Sequence, residues 1–452
     1  MSSEKSLDLA VVICTFERED RLRHTLDVLF SREVGSIETL ELFVFVVDQA
    51  RTLKRQDYPE SWPLTIYYQN NLGGAGGFTR GLMEAMDQGK EWILFMDDDA
   101  TPDPLSFKLL NDYILGNPSG LYALHGAMFS EEQPDVIYEA GATLKQPDGR
   151  SFDIVKRLAN YAPTKPIVED PKLAENMDID YGAWWFFCFP REVPEQLGLP
   201  LPLFIRGDDR EYGLRMKKQG IPTIPLPGLR VWHPSHTEKA STWYLLFKWR
   251  NILITKALHC ESSRWTLSFE FFQRAFYRLL CGRYDIAEHM ILGLEEYFRV
   301  DDTLSKQPEA LLQEAREIDT RYSEVVANDT VKTSLMKKVK HRRFFYEALH
   351  TVTLNGLIFP AKKDSEFLPV IDCADFDWLA VWRLKRFGII FSAENKIKIY
   401  RTDRLIFIGL LLRLTLVTLR LFFFYSTVKK RWKEAMPRYT ARSFWDHTVK
   451  HF

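Results

Sequence analysis

Between Glu91 and Pro104 the chain reads EWILFMDDDATPDP. Trp92 to Met96 is a short apolar run that ends in three consecutive carboxylates, Asp97, Asp98 and Asp99. Pro102 and Pro104 then forbid the strand to continue. An apolar run of this length, bounded by turn signals, predicts a strand buried on both faces of a parallel sheet. Open α/β sheets bind ligands beyond the carboxyl ends of their strands, where these acids fall. Three adjacent carboxylates repel one another and call for a cation. Hard oxygen ligands suit Mg²⁺ or Mn²⁺, metals that accompany phosphates. The plainer reading is an acidic N-cap for a helix starting near Pro104, but a cap needs one carboxylate, not three.

The preceding residues supply the rest of such a sheet. Leu9 to Cys14, Leu42 to Val47 and Leu64 to Tyr68 read as buried strands, and Leu22, Leu26 and Leu29 share one helical face between the first two. Strands alternating with helices predict a βαβ-type, mostly parallel sheet. Asp48 ends the second strand, a position that suits either a ribose or base edge or an ordinary turn. Next comes QNNLGGAGGFTRGL, with Gly73, Gly74, Gly76 and Gly77 in a loop before an expected helix over Phe78 to Met86. Glycines at a helix entry let backbone N–H groups approach a diphosphate. A glycine-rich loop also serves shape alone, so the weight lies in its place just before the acidic strand.

Further on, YGAWWFFCFP holds Trp184 and Trp185. Their indoles suit either a core or one face of a sugar ring. FIRGDDREYGLR places Asp208 and Asp209 at a helix start, as a cap or as a general base tuned by its neighbour. VWHPSH ends a short strand at His233, a candidate metal ligand, and His236 follows as a residue that could face an acceptor. The formal net charge of -1 argues against a nucleic-acid binder. The five cysteines are scattered without zinc-ligand spacing, which predicts reduced thiols, and the N-terminal residues show no secretory signal. A cytoplasmic protein is expected.

The order LAVVICTFERED, VVDQA, QNNLGGAGGFTRGL, ILFMDDDATPDP, YGAWWFFCFP, FIRGDDREYGLR, VWHPSHTEK and WYLLFKWRN resembles family-two glycosyltransferases of the GT-A fold, and more narrowly the bacterial galactofuranosyltransferases of galactan synthesis. The resemblance implies a Rossmann-like, mostly parallel α/β catalytic domain over residues 1–240, followed by a mostly helical region over 241–452. It implies a UDP-sugar donor, most simply UDP-galactofuranose, and a glycan or lipid-linked glycan acceptor in cell-surface polysaccharide synthesis. By the same resemblance Asp97, Asp99 and His233 would hold Mn²⁺ or Mg²⁺. Asp209, with Asp208 beside it, would be the base of an inverting transfer. Thr15, Arg18, Asp48, Asn70, Asn71, Gly74 and Asp98 would lie around the nucleotide, and Trp184, Trp185 and His236 around the acceptor. Two departures stand out. The family usually carries tryptophan where Gly207 precedes Asp208. The polymerising members have an N-terminal β-rich domain, whereas here the first strand begins at Leu9, so addition of one or a few sugars is expected. Competing expectations are transfer of another sugar such as rhamnose from dTDP-rhamnose, a non-catalytic sugar-nucleotide-binding module, and, ranked far lower, a phosphohydrolase with an aspartyl nucleophile.

Towards the C-terminus, residues 301–345 are charge-rich and include the basic run KKVKHRR, and FGIIFSAENKIKIY reads as a hairpin around Glu394 and Asn395. Leu405 to Tyr425 is as long as a membrane span but is interrupted by Arg413 and Arg420, each costly at a bilayer centre. With Lys429 to Lys433 following, residues 404–433 predict either a helix lying in the membrane interface, its arginines reaching the headgroups, or a buried amphipathic helix covering the catalytic domain. The first would place the enzyme peripherally on the cytoplasmic face of the inner membrane.

Overall fold

The computed structural model describes residues 5–146, 151–163, 170–174, 178–234, 240–336, 344–360, 362, 366–376 and 378–451. His236 and the run KKVKHRR lie outside the described residues.

Four parallel strands come first: β1 (Leu7–Thr15), β2 (Leu40–Asp48), β3 (Leu64–Tyr68) and β4 (Trp92–Asp97). Helices α1 (Glu19–Leu29), α2 (Gly73–Asp87) and α3 (Pro104–Gly116) follow β1, β3 and β4, while β2 and β3 are joined without an α-helix. Ala10 to Ile13 and Ile93 to Met96 are fully buried, as apolar runs covered on both faces must be. The spatial order β3-β2-β1-β4 reverses direction between β1 and β4, which makes their carboxyl ends a topological switch point. Beyond β4 the sheet continues through an antiparallel strand to two that again run parallel to one another. In chain order these are β5 (Ala123–Ser130), β6 (Phe187–Pro190) and β7 (Thr223–His233), with β6 lying between β4 and β5. Thr15, Asp48, Asp97 and His233 therefore close their strands on one edge of the sheet.

The glycine run is not a loop. Only Gly73 has a left-handed backbone (φ +68), and helix α2 starts there. The later glycines let the helix lie close on β1: a Cβ on Gly77 would stand 2.1 Å from Cys14 Sγ, and one on Gly81 would stand 2.2 Å from Val12 Cγ1. The expected helix start at Phe78 is thus corrected to Gly73, because tertiary packing against β1 outweighs the poor helix propensity of glycine. Gly77→Ala is expected to destabilise the protein by about 1–3 kcal/mol through this overpacking, read as a fall in thermal midpoint.

The chain after 240 is helical with one inserted sheet. The next helices are α4 (Asp208–Lys218), which belongs to the catalytic sheet, then α5 (Tyr244–His259), α6 (Arg264–Leu280), α7 (Tyr284–Tyr297) and α8 (Pro308–Tyr322). A five-stranded sheet follows, of β8 (Ser323–Ala327), β9 (Thr333–Leu335), β10 (Leu368–Asp372), β11 (Arg386–Phe391) and β12 (Lys396–Arg401). The expected hairpin is β11–β12, turned by Asn395 in the left-handed conformation. Its partner strands were not legible because they are short and polar on one face. Lys398 ties this sheet to α7: it is 1% exposed and pairs with the buried Asp285 at 2.8 Å.

Helix α9 (Arg404–Tyr439) returns along α5, α6 and α7. Phe407, Leu410, Leu414, Val417, Leu421, Tyr425, Val428 and Trp432 form one stripe of the largest core cluster. On the opposite stripe Leu405, Ile408, Leu412, Leu416, Leu419 and Phe423 are exposed. Arg413 and Arg420 belong to neither. Arg413 donates to Glu288 and Glu295 of α7, and the Arg420 guanidinium sits 4.2 Å from the centre of the Phe298 ring. Arg413 is thus tied to α7, whereas Arg420 is exposed beside an aromatic ring. By length and composition α9 could cross a membrane, yet its core stripe is packed inside the protein.

Candidate active site

The acidic triplet divides its labour. Asp97 and Asp99 lie with His233 so that one ligand atom from each falls within 4.8 Å of the others. Asp98 turns the other way: it accepts from Thr15 Oγ1 at 2.8 Å and from Arg18 at 3.0 Å, and Arg18 also reaches Asp99. Burial, then the neighbouring Asp99 charge, pushes Asp97 up to about 7. Asp99 is held down at about 2, since the hydrogen bond and charge of His233 outweigh its own burial. His233 Nε2 is 3.0 Å from Asp99 and its Nδ1 is 2.7 Å from the Pro234 carbonyl. The carbonyl fixes the ring's orientation and leaves Nε2 facing the carboxylates, an arrangement found around metal-bound histidines. Two carboxylates and one imidazole crowded at a strand edge fit a divalent cation such as Mn²⁺ or Mg²⁺.

Asp208 and Asp209 open α4 after three residues of left-handed backbone, Phe204, Arg206 and Gly207. At φ +95, Gly207 holds a conformation that tryptophan rarely adopts, which is a physical reason for the departure noted above. Asn251 secures this strained turn through its side-chain amide, which donates to the carbonyls of Leu203, Ile205 and Arg206. Sequence reasoning missed Asn251, though it sits in the WRN triplet. The two aspartates face different neighbours. Asp208 lies against the start of α2, where a Cβ on Gly74 would be 3.2 Å from its Oδ2. Burial and then the Asp209 charge push it up to about 8, and Asp97 adds to this. Asp209 is raised by burial and eased by Arg210 and Arg206. Beyond Asp209 the wall is basic. Lys248 reaches solvent, yet it is pushed down to about 8 by desolvation and by Arg210, Arg206, Arg278 and Arg274.

Other expected residues fall elsewhere. Asp48 spends its carboxylate on its own loop, accepting from the N–H groups of Ala50, Arg51 and Leu53, so the turn role is the one the geometry gives it. Asn71 accepts from Gly73 N–H, while Asn70 accepts from Arg51. Gln49, unnoticed in the sequence, shapes the entry to α2 by donating to the Gly73 carbonyl and accepting from Leu72 N–H. Trp184 and Trp185 are only 4% and 7% exposed. Trp184 packs edge-on against Phe78 and Phe95, and Trp185 donates to the Gly126 carbonyl. Their faces are occupied by protein rather than open to a sugar ring, because the apolar run around them fills both sides of the sheet.

The strand order, with the Asp97, Asp99 and His233 cluster at the carboxyl edge of its switch point, is that of the GT-A fold. Residues 7–251 match the family described as "Glycosyltransferase like family 2", and the chain belongs to that family and is a glycosyltransferase. The galactofuranosyltransferase GlfT2 of Mycolicibacterium smegmatis (strain ATCC 700084 / mc(2)155) is 27% identical over 98% of this chain and 72% of its own length. GlfT2 of Mycobacterium tuberculosis (strain ATCC 25618 / H37Rv) is 32% identical over 57% of this chain and 42% of its own. GlfT1 of M. smegmatis is 26% identical over 51% and 72% respectively. Among solved structures, GalNAc-T7 with UDP, GalNAc and Mn²⁺ aligns with a TM-score of 0.41 at 15% identity, covering 56% of this chain and 48% of that one. S. aureus TarS 1–349 in complex with UDP aligns at 0.39 and 15%, covering 70% and 88%. At these scores neither likeness adds to what the strand order gives.

Proposed function

We propose that this protein is an inverting, divalent-metal-dependent galactofuranosyltransferase that takes UDP-galactofuranose and extends a glycan or lipid-linked glycan of the bacterial cell surface. The observation that carries this reading is the nearness of two acidic centres: Asp97, Asp99 and His233 form one, and Asp208, which lies against the start of α2 and feels the Asp97 charge, begins the other with Asp209. The kind of sugar rests on the named relatives. Asp97, Asp99 and His233 would hold Mn²⁺ or Mg²⁺, which when bound neutralises the diphosphate as it departs. Arg18, positioned by Asp98 and Thr15, would lie against the phosphates, with Asn70 and Asn71 beside the nucleotide. Asp209 would take the proton from the acceptor hydroxyl, with burial raising its pKa. The basic wall of Arg206, Arg210 and Lys248 suits an acceptor that carries phosphate, as lipid-linked glycans do. A panel of UDP- and dTDP-sugars with metal tests the donor: UDP-galactofuranose should turn over fastest, and preference for dTDP-rhamnose would overturn it.

In this reading residues 1–240 bind donor and acceptor, and residues 241–452 hold the enzyme on the cytoplasmic face of the membrane. Support comes from the outer stripe of α9, continued on α6 by Trp265 and Phe269, each 68% exposed. Each large apolar side chain gains about 1.5–3 kcal/mol on full burial, and Trp suits the headgroup boundary. Replacing Leu412, Leu416 and Phe423 by serine should release the protein from vesicles while leaving donor hydrolysis intact. Unchanged sedimentation with vesicles would refute the membrane face. Deleting α9 is not a clean test, since Leu414, Leu421 and Trp432 would leave the core.

A further inference from the structure

The basic run at the far end of α9 is largely spent on the protein itself. Lys429 pairs with Glu261, Arg431 with Asp301, and Lys430 stands near Glu434. The near end is different. A cavity of about 70 Å³ opens where α9 begins, between the end of α6 and the β11–β12 hairpin. Arg383, Lys385 and Arg404 line it, together with Thr402. Arg383 donates to the Pro360 carbonyl and Arg404 to the Phe359 carbonyl, contacts that fix the guanidinium groups without neutralising them. Among the described residues none of these three cations pairs with a carboxylate, and Asp403 spends its own on the N–H groups of Leu405 and Ile406. Gly356, at φ +83, leaves the space beside Arg383: a Cβ there would stand 2.5 Å from Arg383 Cγ. On the neighbouring register pair Arg386 and Arg401 stand opposite one another, a like-charge pairing that is unfavourable unless an anion is near. The rim is apolar, with Ile358, Phe359 and Leu405 exposed.

We propose that this cleft binds the phosphate group of an anionic lipid headgroup, with the acyl chains beside the apolar rim and the outer stripe of α9. Three cations lining a space of phosphate size supply the charge and the donors. The apolar rim distinguishes a lipid from a soluble phosphate. The inference rests on the membrane face proposed above and adds to it a preference for anionic lipid.

The test is sedimentation of the full chain with phosphatidylcholine vesicles and with vesicles containing phosphatidylglycerol, at fixed ionic strength. Wild type should bind the anionic vesicles more tightly by roughly tenfold or more. Arg383→Gln with Lys385→Gln and Arg404→Gln should reduce binding to the phosphatidylcholine level. Lys385→Glu alone should act in the same direction, and it disturbs no backbone contact. Equal binding of wild type to both vesicles, or an anionic preference that survives these changes, overturns the headgroup site while leaving the membrane face standing. Binding to neither vesicle overturns the membrane face and the lipid together. Thermal stabilisation by inorganic phosphate in wild type but not in Lys385→Glu would then assign the cleft to free phosphate, and no stabilisation would remove the site altogether.

Discussion

Asp209→Asn is expected to lower turnover by roughly 10²–10⁴ while leaving donor affinity unchanged. An inverting displacement needs one base on the acceptor side and no enzyme nucleophile. Asparagine keeps the size of the side chain and its bond to Arg210 N–H but cannot accept the proton. Asp209 is half-buried, and burial raises it above the ordinary carboxylate range. A raised base must lose its proton before it can act, so kcat/KM should fall as the pH drops through that raised value. An Asp209→Asn enzyme that transfers at the wild-type rate would place the base elsewhere, with Asp208 the next candidate.

Asp99→Ala and His233→Ala should each abolish metal-dependent donor binding, a larger loss than any change made on the acceptor side. Removing Asp99 deletes a donor oxygen and also the group that faces His233. Removing His233 leaves two carboxylates without the nitrogen ligand. Both side chains sit at the edge of the sheet, so the fold should survive. Calorimetry with UDP and Mn²⁺ reads the effect: unchanged metal-dependent affinity in both variants would refute the ligand assignment.

The parts of this site that the sequence made legible are those where one local pattern carries the chemistry. The triplet at the end of β4 breaks the rules for a buried strand so sharply that a charged ligand is the simplest compensation. His233 could be picked out because a proline stops its strand immediately afterwards. Residues whose role depends on partners distant in the chain were not legible. Asp48 is a local case that stayed open: it suited a ribose and a turn equally, and its carboxylate accepts from the loop that follows it. Trp184 and Trp185 suited a core and a sugar platform equally, because nothing local reveals that Phe78 and Phe95 cover the first of them. The glycine run looked like a loop because the closeness of α2 to β1 is a tertiary fact. Helix α9 posed a choice between membrane and core, and its two stripes point in both directions at once. Arg413 was misplaced because its partners lie more than a hundred residues earlier, on α7.

The most direct measurement is the anomeric configuration of the first-formed glycoside, recorded by NMR, when the protein is given UDP-galactofuranose, acceptor and Mn²⁺, and again with a chelator. The account predicts a galactofuranosyl product whose configuration is opposite to that of the donor, formed only while the metal is present. Retention of configuration would rule out an in-line displacement with Asp209 as the base, and transfer undiminished by the chelator would leave Asp97, Asp99 and His233 without their role. Either result would contradict it.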